Sequence, residues 1–205
     1  MFTGLIKELA NVINFSNNIL TVKAQYKPNI GDSIAINGAC LTVIKNSNDS
    51  FSVELSPESR NLLAIENYKN KVHIEPAMMM GDRFEGHVVQ GHIDCIGTIK
   101  SIVKNGNSTD FFIQVPSKQM KFIIDKGSIT VDGISLTIND KNKNEFRLTI
   151  IPHTIKNTLF STYKVNSKVN IETDMFARYV YELFSNVKKD DTISWDDIDN
   201  IMSRY

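Results

Sequence analysis

Cysteine, tryptophan and proline are scarce in this chain of 205 residues, which contains two, one and five of them respectively. Cys40 and Cys95 are too few to build a disulfide framework, and the start of the sequence lacks the basic stretch and apolar core of a signal peptide. Both thiols are therefore expected to be reduced, in a cytoplasmic protein. No Cys-x-x-Cys pair, Walker-type loop or Gly-x-Gly-x-x-Gly fingerprint is present, and the four histidines are too scattered to predict a metal site.

An excess of charge of either sign is also missing, because 23 basic residues balance 23 acidic ones. Without a basic run, the chain is not expected to have nucleic acid or an anionic membrane as its main partner. No apolar run is long enough to span a bilayer. A hydrophobic fraction of 41% and a charged fraction of 22% are typical of a globular protein with one or two cores.

The sequence does contain an internal repeat. Residues 126–138 alternate polar and apolar side chains around Asp132-Gly133, which is the pattern of a β-hairpin. Ninety-five residues earlier, residues 32–43 show the same pattern around Asn37-Gly38. The strands after the two turns also match, as Cys40-Leu41-Thr42-Val43 and Ser135-Leu136-Thr137-Ile138. The chain therefore contains one small domain written twice.

Each copy is predicted to form six short strands separated by turns, the first strand covering Met1 to about Ala10. Short helices are predicted near residues 59–63 and 155–159. The fold class is thus mainly β, with two tandem six-stranded antiparallel, Greek-key-like β-barrels related by internal duplication and a C-terminal α-helix. The predicted divisions are residues 1–87, 88–174 and 175–205.

The hydrophobic period changes from that of a strand to that of a helix after Asp174. The apolar side chains that then share one helical face are Met175, Phe176, Tyr179, Val180, Leu183 and Phe184. Such a stripe must be buried against something, and a partner subunit is expected. In the polar tail that follows, Ser194 can cap a last short helix, which is expected to be accessory.

Six segments follow one another in a specific order: residues 1–6, 37–43, 86–94, 126–137, 151–154 and 169–174. Their sequences are MFTGLI, NGACLTV, GHVVQGHID, KGSITVDGISLT, IPHT and VNIETD. Together they closely resemble the riboflavin synthase family of the α-chain type, a lumazine-binding duplicated-barrel family. The resemblance runs from residue 1 to about residue 185. Any one segment would be a weak signal, but six in order inside a duplicated frame are specific.

The resemblance implies a distinctive reaction, the last step of riboflavin biosynthesis. Two molecules of 6,7-dimethyl-8-ribityllumazine exchange a four-carbon unit, and the products are riboflavin and 5-amino-6-(D-ribitylamino)uracil. No cofactor and no metal are implied. The family also implies a homotrimer, held by the C-terminal helix, with each active site between the N-terminal barrel of one subunit and the C-terminal barrel of its neighbour. Whether lumazine synthase particles associate with the chain stays open.

By resemblance, the residues nearest the chemistry are Cys40, His92, Ser135, Thr137 and Asp132. Cys40 would contact the lumazine or act as nucleophile. Without the surrounding motif, Cys40 would be better interpreted as a small apolar residue of the core. His92 suits proton transfer, against the alternative of a structural histidine. Ser135 and Thr137 point to one side of their strand, toward either a pocket or solvent. Asp132 would assist Ser135.

The resemblance also implies two substrate pockets, with Phe2 packing between the barrels. The first is expected to be lined by Gly4, Leu5, Ile6, Ala39, Cys40, Leu41, Glu54, Leu55, Ser56, Pro57, Glu58 and Ser59. The second is expected to be lined by Gly91, His92, Ile93, Ser135, Leu136, Thr137, Ile151, Pro152, His153, Thr154 and Ile155. Further expected contacts are Ser33, Thr42, Lys126 and Asp174. One lumazine donates the four-carbon unit and the other accepts it, so the two copies are expected to differ at the positions nearest the chemistry. They do differ there, since Cys40 corresponds to Ser135, Asn37 to Asp132 and Leu5 to His92.

Other candidates carry weaker signals. Cys95, His73 and His153 are interpreted as structural or surface residues, and His87 is undecided. Met78–Met80 is expected to be connector packing, and Lys126 with Asp132 could form a hairpin ion pair. Pro76 stands where the family often has arginine, which weakens any ion pair near the connector.

Two alternatives to an enzyme remain. A non-catalytic lumazine- or flavin-binding relative would tend to lose the chemistry of Cys40-Leu41-Thr42 or Ser135-Leu136-Thr137 and to be monomeric. A generic β-barrel interaction module gives no reason for Cys40 and Ser135 to occupy equivalent places. Both segments are retained here and an apolar helix follows them, which favours catalysis.

Overall fold

The computed structural model describes residues 1–185, and the helix predicted around Ser194 lies outside them. The first copy contains β1 (Glu8–Ser16), β2 (Ile19–Lys23), β3 (Ser33–Ile36), β4 (Ala39–Asn46), β5 (Ser50–Glu54), α1 (Pro57–Leu62), a 3-10 helix (Ile65–Asn67) and β6 (Lys71–Pro76). The second contains β7 (Cys95–Asn105), β8 (Ser108–Gln114), a 3-10 helix (Ser117–Phe122), β9 (Ser128–Val131), β10 (Ile134–Thr137), β11 (Asp140–Lys141), β12 (Glu145–Ile150), α2 (Pro152–Asn157), a 3-10 helix (Leu159–Ser161) and β13 (Lys168–Thr173). Helix α3 (Met175–Ser185) follows.

The first copy forms a closed antiparallel barrel in the order β1-β2-β5-β4-β3-β6. Side chains alternate across each strand, so Leu20, Val22 and Ile34 turn inward and become fully buried. The turn at Asn37-Gly38 has positive φ at both residues (44° and 82°), which is the hairpin geometry that this dipeptide favours. The predicted first barrel is confirmed.

The second copy is a curled seven-stranded sheet in the order β10-β9-β13-β7-β8-β12-β11. Its two ends, β10 and β11, are successive parts of residues 134–141, which occupy the place of β4 in the repeat. β10 pairs with β9 and β11 with β12, as β4 pairs with β3 and β5. The sheet therefore differs from the expected six-stranded barrel because one strand is interrupted at Ile138 and Asn139. There the Asn139 side chain accepts the N–H of Thr149 (2.7 Å).

The first residues of each copy cross to the other copy. Phe2 and Val89 form an antiparallel bridge, and both are buried between the barrels, as expected for Phe2. Ile6 packs against the core of the second barrel, whereas Ile93 packs against the core of the first. Each barrel is thus completed by a segment that precedes the other one.

This crossing corrects the strand predicted over residues 1–10. Strand β1 begins only at Glu8. Gly4 has a φ of +81°, a left-handed conformation that interrupts a regular strand and that glycine adopts without strain. Of the apolar residues at the start of the chain, Ile6 contacts the core of the second barrel and Phe2 lies between the barrels, whereas Met1 and Leu5 are exposed.

His73 and Asn170 hold equivalent positions in β6 and β13 and join the two barrels in the same way. Nε2 of the buried His73 ring accepts the N–H of Leu159 (2.9 Å), so Nδ1 of the neutral ring donates to the Asp132 carbonyl (2.9 Å). The buried Asn170 amide donates to the Asn37 carbonyl (2.8 Å) and accepts a backbone N–H of the first barrel (2.7 Å). Each hairpin turn is held by a side chain from the opposite barrel, which confirms a scaffold role for His73.

Acid is expected to weaken this junction. Burial lowers the pKa of His73 from 6.5 to about 4. A depressed folded-state pKa means that the contribution of the neutral ring is complete above pH 6.5 and is lost as the pH falls toward 4, by about 3 kcal/mol in all. Urea unfolding of wild type and His73→Asn between pH 7 and pH 4 measures this loss.

The His73→Asn protein, which carries the residue type of the second copy, should lose less stability over that range than wild type. His153 is exposed on α2, so His153→Asn is the matched control and should keep the wild-type pH dependence. Identical pH dependence in wild type and His73→Asn would contradict the assignment.

Two apolar surfaces stay exposed on residues 1–185. On α3, Phe176 is 60% exposed and Leu183 is 69% exposed. On the connector between the copies, Met79 and Met80 are exposed as well, so the expectation that they pack was wrong. The connector runs over the surface after β6 and has no core to enter. Within the described chain, no helix combines the length and apolar character that crossing a membrane requires.

Candidate active site

A cleft of about 210 Å³ opens between β4, α1 and residues 91–93, and we call it the Cys40 cleft. Cys40 is half-buried at the start of β4, and His92 is exposed. The cleft therefore brings together two of the five residues expected near the chemistry. Leu62 and Leu63, which the sequence did not single out, add apolar lining. The complete lining is Ala39, Cys40, Glu58, Ser59, Leu62, Leu63, Gly91, His92 and Ile93.

Helix α1 brings Glu58 and Ser59 to this cleft. The hydroxyl oxygen of Ser56 accepts the N–H of Ser59 (3.0 Å) and caps the helix. Pro57 occupies the first turn, where a missing N–H costs nothing. Ser56 and Pro57 therefore start the helix that forms this wall, and Glu58 and Ser59 contribute polar side chains to the lining of the cleft.

Gly91 brings the crossing segment against Cys40. The Cys40 N–H donates to the Gly91 carbonyl (2.8 Å), and a Cβ on Gly91 would lie only 2.6 Å from the Cys40 Cβ. The buried Glu172 carboxylate accepts the N–H groups of Gln90 (2.8 Å) and Gly91 (2.9 Å). Burial raises the pKa of Glu172 to about 7. A backbone contact that only glycine permits thus fixes the wall that carries His92.

The second barrel repeats this arrangement with the copies exchanged. The Ser135 N–H donates to the Gly4 carbonyl (2.8 Å), and a Cβ on Gly4 would lie 2.6 Å from the Ser135 Cβ. The buried Glu75 carboxylate accepts the N–H groups of Thr3 (2.8 Å) and Gly4 (3.1 Å). Burial raises the pKa of Glu75 as well. We call Gly4, Ser135 and the adjoining His87 the Ser135 site.

These contacts correct the predicted division of the pocket walls. Residues 91–93 line the cleft of the first barrel, where the second was expected. Gly4 and Ile6 contact the second barrel, where the first was expected. The sequence repeat aligned the two crossing segments correctly, but the alignment of two copies does not show which barrel each segment visits.

His87, which the sequence left undecided, lies at the Ser135 site. Nδ1 of its buried ring is 2.7 Å from the Ser135 hydroxyl oxygen. Burial lowers the pKa of His87, against the charge of Asp174, which favours the neutral ring. In the tautomer that leaves Nδ1 unprotonated, the ring can take the serine proton. Gly86 permits this approach, since a Cβ there would lie 2.2 Å from the Thr3 carbonyl oxygen. The only sequence signal was a Gly-His pair just before the second copy.

Asp132 lies in the interior and does not reach the surface of the site. Its fully buried carboxylate accepts the N–H of Asn170 (2.7 Å) and the hydroxyl of Tyr163. Burial raises the pKa of Asp132 to about 7. Lys126 is exposed and forms no ion pair with Asp132, so the hypothesis of a hairpin ion pair was wrong. The Asn170 N–H and the Tyr163 hydroxyl already donate to the buried carboxylate, so it is satisfied without the lysine.

The remaining candidates of the first copy are not brought into the Cys40 cleft. Leu41 and Leu55 are buried in the core of the first barrel. Ser33, Thr42 and Glu54 are neighbours across three strands, since Thr42 pairs with both of the others. Thr42 and Glu54 are exposed, so they lie on the outer surface of the barrel.

The expected site residues of the second copy lie on β10, at the start of α3 and in or beside α2. Leu136 packs against the core, so Ser135 and Thr137 share the opposite side of β10, as the alternation predicted. Asp174 accepts the N–H of Phe176 (2.7 Å) at the start of α3. The candidates in or beside helix α2 are Ile151, Pro152, His153, Thr154 and Ile155, and α2 holds the place in the second copy that α1 holds in the first.

Known proteins resemble this chain over most of its length. The family described as “Lumazine binding domain” matches residues 3–77 and again residues 90–174. The riboflavin synthase of Photobacterium phosphoreum is 42% identical over 203 residues, covering 93% of this chain and 92% of that protein. The riboflavin synthase of Bacillus subtilis (strain 168) is 36% identical over 201 residues, covering 94% of each.

Solved structures share the fold. LumP complexed with riboflavin has a TM-score of 0.76 at 20% sequence identity, covering 84% of this chain and 99% of that one. LumP complexed with 6,7-dimethyl-8-(1'-D-ribityl) lumazine has a TM-score of 0.71 at the same identity and coverage. At such identity the likeness supports the duplicated β fold and nothing about activity.

Proposed function

The chain belongs to the riboflavin synthase family of lumazine-binding proteins, and we propose that it converts two molecules of 6,7-dimethyl-8-ribityllumazine into riboflavin and 5-amino-6-(D-ribitylamino)uracil. One molecule gives up a four-carbon unit and the other accepts it, so the reaction consumes no external oxidant or reductant. The enzyme is accordingly a transferase. The observation that carries the proposal is the pair of equivalent sites around Cys40 and Ser135, which share a backbone frame and differ in chemistry.

The reaction asks for three things from the protein. A base must take a proton from the acidic 7-methyl group of one lumazine, and a nucleophile must add at C7 of the other. The two ring systems must also be held in register, a contribution of orientation that is about 7 kcal/mol in favourable cases. Two related sites that each bind one molecule meet the last requirement directly.

Cys40 and Ser135 are proposed to treat their lumazines differently. At the Ser135 site, neutral His87 accepts a proton from the Ser135 hydroxyl or from a water bound to it, which activates the oxygen for attack. In the Cys40 cleft, the thiol contacts the ring and exposed His92 exchanges protons with it. Glu58 accepts hydrogen bonds from the ribityl hydroxyls. Asp132 acts from the interior, by keeping the Ser135 hairpin in place.

We further propose that the working enzyme is a homotrimer in the cytoplasm, where Cys40 stays a thiol. The exposed apolar face of α3 supports assembly, since a contiguous exposed apolar patch is typical of an interaction surface. Each active site would pair the Cys40 cleft of one subunit with the Ser135 site of its neighbour. In this scheme residues 1–87 and 88–174 are the two lumazine-binding domains, and residues 175–205 comprise the trimerisation helix and an accessory polar tail.

The test is an assay of the purified protein with the lumazine and no added cofactor. Riboflavin absorbance should rise by one molecule for every two lumazines consumed, and the pyrimidine product should accumulate in equal amount. The second candidate function, a non-catalytic binding protein, predicts tight binding with the lumazine left unchanged. That outcome would overturn the proposal.

A further inference from the structure

Arg178, on α3, contacts both ends of the short segment that walls the Cys40 cleft. One guanidinium nitrogen is 2.9 Å from an Asp94 carboxylate oxygen, and the other is 2.8 Å from the side-chain oxygen of Gln90. Residues 91–93 lie between these two anchors and carry His92. The guanidinium of Arg178 therefore joins α3 to both ends of the segment that forms this wall of the cleft.

Both anchors are tied to the end of β13 as well. The second carboxylate oxygen of Asp94 accepts the N–H and the hydroxyl of Thr173, each at 2.7 Å. Glu172, which binds the N–H of Gly91, lies 3.9 Å from the Arg178 guanidinium. Arg178 thus completes a network in which every member touches either the cleft wall or the strand that leads into α3.

We call the contacts of Arg178 with Asp94, Gln90 and Glu172 the clamp, and the first copy has no equivalent of it among residues 1–185. Glu75, the counterpart of Glu172, is held by Thr3 and Gly4, and no basic side chain among residues 1–185 is within ion-pair distance of it. The repeat position of Arg178 is occupied by Gly81. The difference makes the wall of the Cys40 cleft depend on α3, whereas the wall of the Ser135 site does not.

Resting on the proposed function, we infer that Arg178 is a positioning residue that couples the seating of helix α3 to the binding of lumazine in the Cys40 cleft. The apolar face of α3 is exposed at Phe176 and Leu183, so whatever covers that face also fixes the helix that carries the clamp. Assembly would then complete the wall of the Cys40 cleft, whereas the Glu75 frame of the Ser135 site is held by Thr3 and Gly4.

Glu172 gives the clamp a pH signature. Burial raises the pKa of Glu172, the neighbouring Asp94 raises it further, and the charge of Arg178 lowers it. Loss of Arg178 leaves the acid form present to higher pH, and that form accepts less well from the N–H groups of Gln90 and Gly91. Activity should therefore begin to fall at a higher pH than in wild type as the solution is acidified.

The experiment compares the full-length wild type with Arg178→Met, Arg178→Lys, Asp94→Asn and Arg83→Met. The readouts are the KM for lumazine across pH, the protection of Cys40 from iodoacetamide by riboflavin, and the melting temperature of each variant. Alkylation reports on Cys40 because Cys95 is buried and burial raises its pKa to about 12. Arg83 is the matched control, an exposed arginine that pairs with Glu85 (3.0 Å) on the connector.

In Arg178→Met the KM should rise about tenfold, as expected for a misplaced binding wall, with protection of Cys40 weakened in parallel. Arg178→Lys and Asp94→Asn, which each break part of the clamp, should show smaller changes, and Arg83→Met none. Unchanged KM, protection and pH profile in Arg178→Met would overturn the inference. The inference would also be overturned if the changes in KM and in Cys40 protection in Arg178→Lys and Asp94→Asn were proportional to the fall in the melting temperature of each variant. If wild type binds riboflavin but forms no product, the proposed function fails, and the protection assay still decides on the clamp.

Discussion

An alanine at position 91 is expected to inactivate the enzyme and to destabilise the first barrel. The new Cβ would lie 2.6 Å from the Cys40 Cβ and 2.9 Å from the Cys40 backbone nitrogen, and neither atom is the end of a flexible side chain. The left-handed φ of +81° adds strain of its own. The crossing segment must move away from β4. The expected cost is about 3 kcal/mol of unfolding free energy, with turnover lower by about 100-fold.

Gly31→Ala separates the two causes. Gly31 also has a positive φ (+93°), but its Cβ would meet nothing within 4 Å. It should therefore lose only about 1–2 kcal/mol from backbone strain and keep its activity. Urea unfolding and riboflavin formation are measured on both variants. Equal losses of stability and activity in the two would mean that the contact with Cys40 is unimportant.

Removing either Ser135 or His87 is expected to lower kcat by about 100-fold, because a hydroxyl and the base that takes its proton act as one unit. The 2.7 Å contact between them supports this. The double variant Ser135→Ala/His87→Asn should be little worse than either single variant. A double-mutant cycle on kcat measures the coupling.

Ser108→Ala is the control for this cycle, since Ser108 is the first residue of β8, beside the β7–β8 turn, and donates to the carbonyl of Asn105. Its kcat should equal that of wild type. Losses from Ser135→Ala and His87→Asn that simply multiply in the double variant would show that the two side chains act independently. The hydrogen bond would then be structural.

Much of the fold follows from local rules that a sequence exposes. The two hairpins were predictable because Asn37-Gly38 and Asp132-Gly133 favour positive φ at both residues, and both turns have that geometry. Helix α3 followed from apolar spacing, and its observed range begins at the predicted residue. The likeness of Cys40 to Ser135 came from the repeat itself.

The parts that could not be predicted depend on contacts across the two copies. Nothing local in residues 1–6 shows that they complete the second barrel, because that choice is made by the Phe2–Val89 bridge and by Gly4 against Ser135. His87 precedes the repeat and reaches the Ser135 site only through the same crossing. Asp132 was expected near the substrate, and its placement in the interior depends on Tyr163 and Asn170, both distant in sequence.

The central claim is that two unlike sites, the Cys40 cleft of one subunit and the Ser135 site of the next, carry out one reaction together. Mixing subunits of Gly91→Ala with subunits of Ser135→Ala/His87→Asn tests it most directly, because each parent lacks one site and keeps the other. If sites pair across a trimer that assembles at random, mixed enzyme should regain about one quarter of wild-type riboflavin formation. Mixed trimers that stay as inactive as their parents would contradict the account.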